Sequence, residues 1–335
     1  MNQGRGWLDG LYASGVTPAS FLPDASLGHR HEPDEDAASS GVEVEIVEDA
    51  DLRVHPVVSS TAPVGMSFLD GIQQWKVIGY DGVQPIALAY VAAAVRRRDS
   101  ARRLATAAWA ARHLIIAPQQ VLGEERRAAL EGAGLEAVPV EVEAAIQPAQ
   151  ALEALRREVH RARAGLERQL GERAAAGLGA GDWLVLDGQL AVSATLAKHA
   201  RAIGVIKSHG AQFLTGRHLE RALTIPAEHR TSVFRVRGGH GRTEVDSWYL
   251  RLWPWKGRDL HYGLIRVETA RDEGRGTRAA ELSGWLLAER APLAAPDARF
   301  DRLLYPIHDV ESYLRSRAPH YLLASPASRL PRTGT

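Results

Sequence analysis

Cysteine is absent from the 335-residue chain, and lysine is nearly so. Without a thiol there is no disulfide scaffold, no thiolate nucleophile and no Cys-ligated zinc or iron–sulfur site. Only four lysines occur (Lys76, Lys198, Lys207, Lys256), so 37 of the 41 basic residues are Arg. Formal net charge is +1, which excludes a nucleic-acid binder that works by overall basicity. No apolar run approaches the roughly 18 residues of a membrane span, and no basic-then-apolar leader opens the chain. The default expectation is a cytoplasmic protein. A hydrophobic content of 45% supplies enough apolar surface for a substantial core.

The charge is unevenly spread. From His31 to Asp51 there are nine acidic side chains and no Lys or Arg. Residues 1–55 read as an acidic, partly flexible extension that lies against a basic surface or repels nucleic acid. Removing residues 1–51 leaves 39 basic and 29 acidic residues, or +10. The folded part is thus expected over 56–325, followed by a 326–335 tail.

Val64–Leu69 ends in Asp70-Gly71, Trp75–Tyr80 ends in Asp81-Gly82, and Ile86–Val95 follows. Three short apolar runs joined by turn dipeptides predict an antiparallel meander. His113–Ala117 and Leu135–Val142 are further strands. A long helix is predicted from Pro148 to about Ala176, with Leu152, Leu155, Val159, Leu166 and Leu170 on one side. Trp183–Leu186 and Ile203–Ile206 are compact strands flanking a helical Val192–Ala202, an arrangement that implies a parallel crossover. Thr231–Val236, Ser247–Trp253 and Tyr262–Val267 alternate like half-exposed strands, and helices close the chain near 278–289 and 308–316. The prediction is an α/β fold: an RNase H-like mixed sheet flanked by helices, with additional antiparallel strands and C-terminal helices.

Asp70 and Asp187 each close an apolar strand and precede Gly. Two carboxylates projecting from neighbouring strand ends make an oxygen-rich pocket suited to Mg²⁺ or Mn²⁺. Asp-Gly is also a common turn pair. A third carboxylate is available on the long helix from Glu158, Glu167 or Glu172, of which Glu167 is preferred because it sits one turn after Arg163 and Leu166 anchors it to the core. Lys207 ends the next strand, where an ammonium suits a phosphate contact. Tyr305 and His308 lie in Leu303–Asp309, a strand or turn entering a helix that Asp309 is able to cap, and both are potential phosphate ligands or proton donors. Arg clusters at 96–103, 156–173 and 230–258, the last among Trp248, Trp253 and Trp255, could grip a phosphate backbone and stack bases. Gly238-Gly239-His240-Gly241 reads as a hairpin turn, with no helix following it to make a nucleotide loop.

In this order the motifs resemble the NurA family of DNA-repair nucleases over about residues 60–320. The resemblance rests on the first Asp-Gly, a Glu-bearing helix, Leu184-Val185-Leu186-Asp187-Gly188-Gln189-Leu190, Ile203–Lys207, Trp248–Leu252 and a late Tyr-Pro. It implies Mn²⁺-dependent (or Mg²⁺-dependent) single-strand endonuclease and 5′-to-3′ exonuclease activity on DNA, a homodimer, and partnership with a hexameric HerA-type translocase. By motif, Asp70, Glu167 and Asp187 would bind metal, and Tyr305 matches the Tyr-Pro element. The family's late histidine falls nearer Tyr313 than His308, and the acidic extension has no counterpart. Competing readings are a non-catalytic clamp or adaptor of a translocase, a nuclease of an anti-phage defence complex, and another phosphoryl-transfer enzyme on an RNase H-like sheet, such as an actin-like kinase, against which the missing glycine-rich phosphate loops count.

Overall fold

The apolar run that starts at Met66 passes straight through Asp70-Gly71 and ends at Asp81, forming one 16-residue strand. The chain reverses only at Asp81-Gly82, where Gly82 takes φ +57°, a conformation that costs glycine little. Asp70 therefore sits inside a strand and not at its end. The expected pair of short strands is a single long one.

The computed structural model describes residues 6–21, 42–143, 147–209, 212–238, 242–292 and 300–319. In chain order the elements are α1 (Gly6–Ala13), β1 (Thr17–Phe21), β2 (Val42–Ile46), β3 (Val54–Pro56), β4 (Met66–Asp81), β5 (Gln84–Arg98) and β6 (Leu104–Pro118). Then come α2 (Glu124–Gly132), β7 (Glu136–Val140), α3 (Pro148–Ala176), β8 (Trp183–Asp187), α4 (Ala194–Ala197), β9 (Ala202–Ile206) and α5 (Gly216–Leu223). The chain continues with β10 (His229–Thr231), β11 (Phe234–Gly238), β12 (Val245–Arg251), β13 (Leu264–Thr269), α6 (Arg275–Ala288), a 3-10 turn (Phe300–Arg302) and α7 (Tyr305–Arg317).

These strands form one mixed sheet in the order β2-β11-β12-β13-β9-β8-β4-β5-β6-β7, with β1 added to β4 and β3-β10 added to β12. The β4–β8, β8–β9 and β6–β7 pairs are parallel. Helices cover both faces. Phe68, Val185, Val205 and Trp248 share one core layer with Trp285 and Leu286 of α6 and Ile307 and Val310 of α7. Leu69, Leu184 and Leu186 share the other with Leu155, Val159, Leu166 and Leu170 of α3. Each such aliphatic side chain contributes about 1.5–3 kcal/mol on burial. Pro148 opens α3 in its first turn and Gly177 closes it, as its sequence predicts.

Three expectations change. The predicted helix over Val192–Ala202 shrinks to α4, whose first turn Ser193 caps by accepting from Leu196 N–H at 3.2 Å. β12 and β13 are buried along their whole length and not half-exposed. Their polar positions hold internal partners: Arg235 donates to Asp246 at 2.8 and 3.1 Å, and Arg251 donates to the carbonyls of Leu223 and Leu260.

The acidic extension is not separate from the folded part either. β2 pairs with β11, Glu45 meets Arg237 at 2.8 Å, Glu48 meets Arg230 at 2.7 Å, and Asp51 meets His218 at 2.7 Å. Glu45, Glu48, Asp49 and Asp51 thus lie against basic side chains. Glu32, Asp34, Glu35 and Asp36, residues 239–241 of the predicted hairpin turn and the 326–335 tail lie outside the described residues.

Candidate metal centre

Parallel pairing of β4 with β8 ends at Leu69 opposite Leu186. One residue further, Asp70 and Asp187 stand level on adjacent strands. On the other side Asp187 is level with Val205 of β9, and Lys207, two residues on, returns to the same face. Its Nζ donates to Asp187 Oδ2 at 2.9 Å, and Arg302 holds the Lys207 carbonyl at 3.0 Å. The carboxylates meet where β8 stops and β4 continues.

Glu167 reaches this point from the opposite layer. Side chains alternate along β4, so Asp70 shares the parity of Phe68 while Gly71 faces α3. A Cβ at Gly71 would lie 2.8 Å from both Cγ and Cδ of Glu167, so only glycine lets that carboxylate rest on the strand. Arg163, one turn earlier on α3, lies 3.7 Å from Glu167 Oε1. The other two helix candidates are engaged elsewhere: Glu158 pairs with Arg161, and Glu172 accepts from Ser193 Oγ at 2.7 Å.

Asp70 is only 6% exposed. Burial pushes its carboxyl well above the usual range, and the negative charges of Asp187 and Glu167 push it further, against the pull of Lys207 and Arg163. Three carboxylates thus face two cations. That imbalance favours a shared proton or a bound cation, and an all-oxygen donor set suits a hard divalent ion. The sequence places Arg163 one turn before Glu167, as found, but gives no sign that Gly71 is the seat of that carboxylate.

Among the described residues, the one trio whose ligand atoms all lie within 4.8 Å of one another is Glu48, Asp49 and His55. This cluster, which sequence reasoning did not single out, could hold a metal ion of either hard or borderline character. Its charges are already balanced. Glu48 accepts from Arg230 twice at 2.7 Å and from Val233 N–H at 2.8 Å, and Asp49 accepts from Ser232 at 2.6 Å and pairs with His55 at 2.8 Å. Although burial works against ionisation, these partners hold Glu48 and Asp49 below the ordinary carboxylate values.

The remaining predicted residues lie on α7, which packs on the sheet beside β4. Tyr305 stands 58% exposed in the first turn of α7, and His308 Nε2 lies 3.5 Å from Ser312 Oγ one turn on. Asp309 does not cap the helix, which starts after Leu304; it pairs with Arg96 at 2.6 Å.

The Arg and Trp residues read as a nucleic-acid grip are largely interior, with Arg230, Arg235, Arg251 and Trp248 all buried. Arg97 and Arg98 are tied to Asp182 and Glu289. Exposed Arg remain along α3 at Arg157, Arg161, Arg168 and Arg173. Among the described residues no helix is long and apolar enough to cross a membrane. No family model matches the chain, and no curated protein matches it.

Proposed function

We propose that the chain is a metal-dependent nuclease of the NurA type that hydrolyses DNA phosphodiester bonds at Asp70, Glu167 and Asp187. The observation that carries this reading is the burial of Asp70 against two further carboxylates at the end of a parallel strand pair, with Lys207 beside them. The succession of antiparallel meander, long helix and parallel strands supports an RNase H-like core.

Bound Mn²⁺ or Mg²⁺ would supply hydroxide at neutral pH and stabilise negative charge on the phosphate. The protein's own part is to hold the carboxylates on a rigid sheet, to keep Asp70 from water, and to offer the Lys207 ammonium to the scissile phosphate. Exposed Arg157, Arg161 and Arg168 share one side of the helix that carries Glu167 and provide a sequence-independent track for the backbone. A homodimer and a HerA-type hexameric partner belong to the same proposal. A second reading, a non-catalytic adaptor of a translocase, draws on the Asp187–Lys207 ion pair, in which a protein cation already neutralises one of the carboxylates.

End-labelled single-stranded DNA incubated with Mn²⁺ separates the two. The wild-type protein is expected to cut it, and Asp187→Ala to lose about 10³-fold in rate, the scale of several kcal/mol of transition-state stabilisation. DNA bound but left intact by the wild type, or undiminished cutting by the variant, overturns the nuclease reading.

A further inference from the structure

One part of the Arg–Trp region lies outside the core. The loop of residues 253–263 joins β12 to β13 and reads Trp-Pro-Trp-Lys-Gly-Arg-Asp-Leu-His-Tyr-Gly. Three of its 11 residues are aromatic, against 6% of the whole chain. Among the described residues, however, Trp255 and Tyr262 join neither core layer. Both are half-buried, and Lys256 and Arg258 between them are exposed. Rings that do not fill the core, interleaved with exposed cations, have the composition of a single-strand platform.

The loop is braced from within. Buried Arg251 donates to the carbonyls of Leu260, at 2.9 Å, and Tyr262, and its guanidinium carbon lies 6.0 Å from the centre of the Trp255 ring. Leu252 N–H donates to the Gly263 carbonyl at 2.6 Å, and buried Asp301 accepts from Gly263 N–H. Arg258 lies 5.4 Å from the centre of the Tyr262 ring. Bracing of this kind lowers the cost of ordering a loop against its ligand.

Topology brings the loop to the carboxylates. β13 runs antiparallel to β9, so the segment entering β13 stands at the edge where β8 and β9 end. His261 stacks on His209, two residues past Lys207, with ring centres 4.8 Å apart and planes 22° apart. Asp187 is level with Val205, and Val205 with Val267. Gly263 is thus two strands across and four residues along from Asp187, about 17 Å at ~4.8 Å per strand and ~3.4 Å per residue. A stacked nucleic-acid strand covers that span in about five nucleotides.

We infer that the 253–263 loop is a platform for a single DNA strand, holding it about five nucleotides from the bond cut at Asp70 and Asp187. Lys256 and Arg258 take phosphates, and Trp255 and Tyr262 stack on unpaired bases. Paired bases in a duplex offer no free face, so the platform selects a single strand. That the strand leads to the carboxylates rests on the nuclease reading; that it binds the loop does not.

The test is fluorescence anisotropy on the full chain in chelator, where nothing is cut. The probe is a labelled oligothymidylate of about 20 nucleotides, long enough to reach from the loop past the carboxylates. Trp255→Ala is expected to weaken binding about 10-fold without changing its salt dependence, the effect of one lost stacking contact. Lys256→Gln with Arg258→Gln is expected to flatten the log–log salt slope by about 1.4, or ~0.7 for each phosphate contact. Both of those side chains are exposed, which leaves the fold intact. Duplex affinity is expected to be the same for Trp255→Ala as for wild type. A wild type that does not bind the single strand, either variant binding as wild type does, or an equal loss by Trp255→Ala on duplex overturns the proposal. Loop-dependent binding by a wild type that leaves the strand intact in Mn²⁺ keeps the platform and removes the nuclease reading. Cutting with loop-independent binding does the reverse.

Discussion

Asp70→Asn is expected to abolish Mn²⁺-dependent DNA cleavage and, in the same protein, to raise the melting temperature of the metal-free form at neutral pH. Both effects have one cause. The Asp70 carboxyl is raised well above its unfolded value by burial and by its two acidic neighbours. At low pH folded and unfolded chains both hold the proton, and the group costs nothing. As pH rises past the unfolded value, the unfolded chain releases its proton while the folded chain retains it or bears a buried carboxylate. The stability attributable to Asp70 therefore declines with pH until its folded pKa is passed.

Asparagine keeps the shape without the charge and removes that decline. Melting curves in chelator from about pH 4 to about pH 8 should show the variant pulling ahead of wild type. By neutral pH the gap should reach at least about 2–4 °C, the shift that about 1 kcal/mol produces in a domain of 150–250 residues. A variant that melts lower at neutral pH would show that Lys207 and Arg163 already satisfy the carboxylate.

Gly71→Ala should lower cleavage by about 100-fold, although residue 71 has no side chain to contribute. The added Cβ meets Cγ and Cδ of Glu167 at 2.8 Å, so the carboxylate must leave its seat by a fraction of an ångström to an ångström. Displacements of that size in a reacting constellation cost about two orders of magnitude. The strand itself gains, since Ala is better than Gly in a strand interior by roughly 0.5–1 kcal/mol. Single-turnover rates at saturating Mn²⁺, compared with Glu167→Gln, check the expectation. Full activity in Gly71→Ala would remove Glu167 from the site.

How far these features could be read from sequence depended on the kind of signal. Asp187 and Lys207 end short, uniformly apolar runs bounded by turn residues, and both strands lie as predicted. The helix from Pro148 carries its stop and start signals in plain view. Asp70-Gly71 reads as a strand end because Asp-Gly is a turn pair; whether a strand continues past such a pair depends on its neighbour, and β5 pairs with β4 from Ser67 through to Asp81. Helical periodicity gave the buried side of α3 but not the depth of each glutamate, which depends on a glycine in another element. Buried Arg at alternating positions looks like a half-exposed strand, because alternation cannot distinguish water from an internal carboxylate. For the same reason +10 overstated the basic surface: Glu45, Glu48 and Asp51, set aside with the extension, pair with Arg237, Arg230 and Arg217.

The most direct measurement is calorimetric titration of Mn²⁺ into the metal-free protein, its Asp70→Asn and Asp187→Asn variants, and Glu48→Gln. The account predicts binding by wild type and by Glu48→Gln, with heat lost or affinity reduced at least about 10-fold in both aspartate variants. Binding that survives in Asp70→Asn and Asp187→Asn but disappears in Glu48→Gln would place the ion at Glu48, Asp49 and His55 and contradict the central claim.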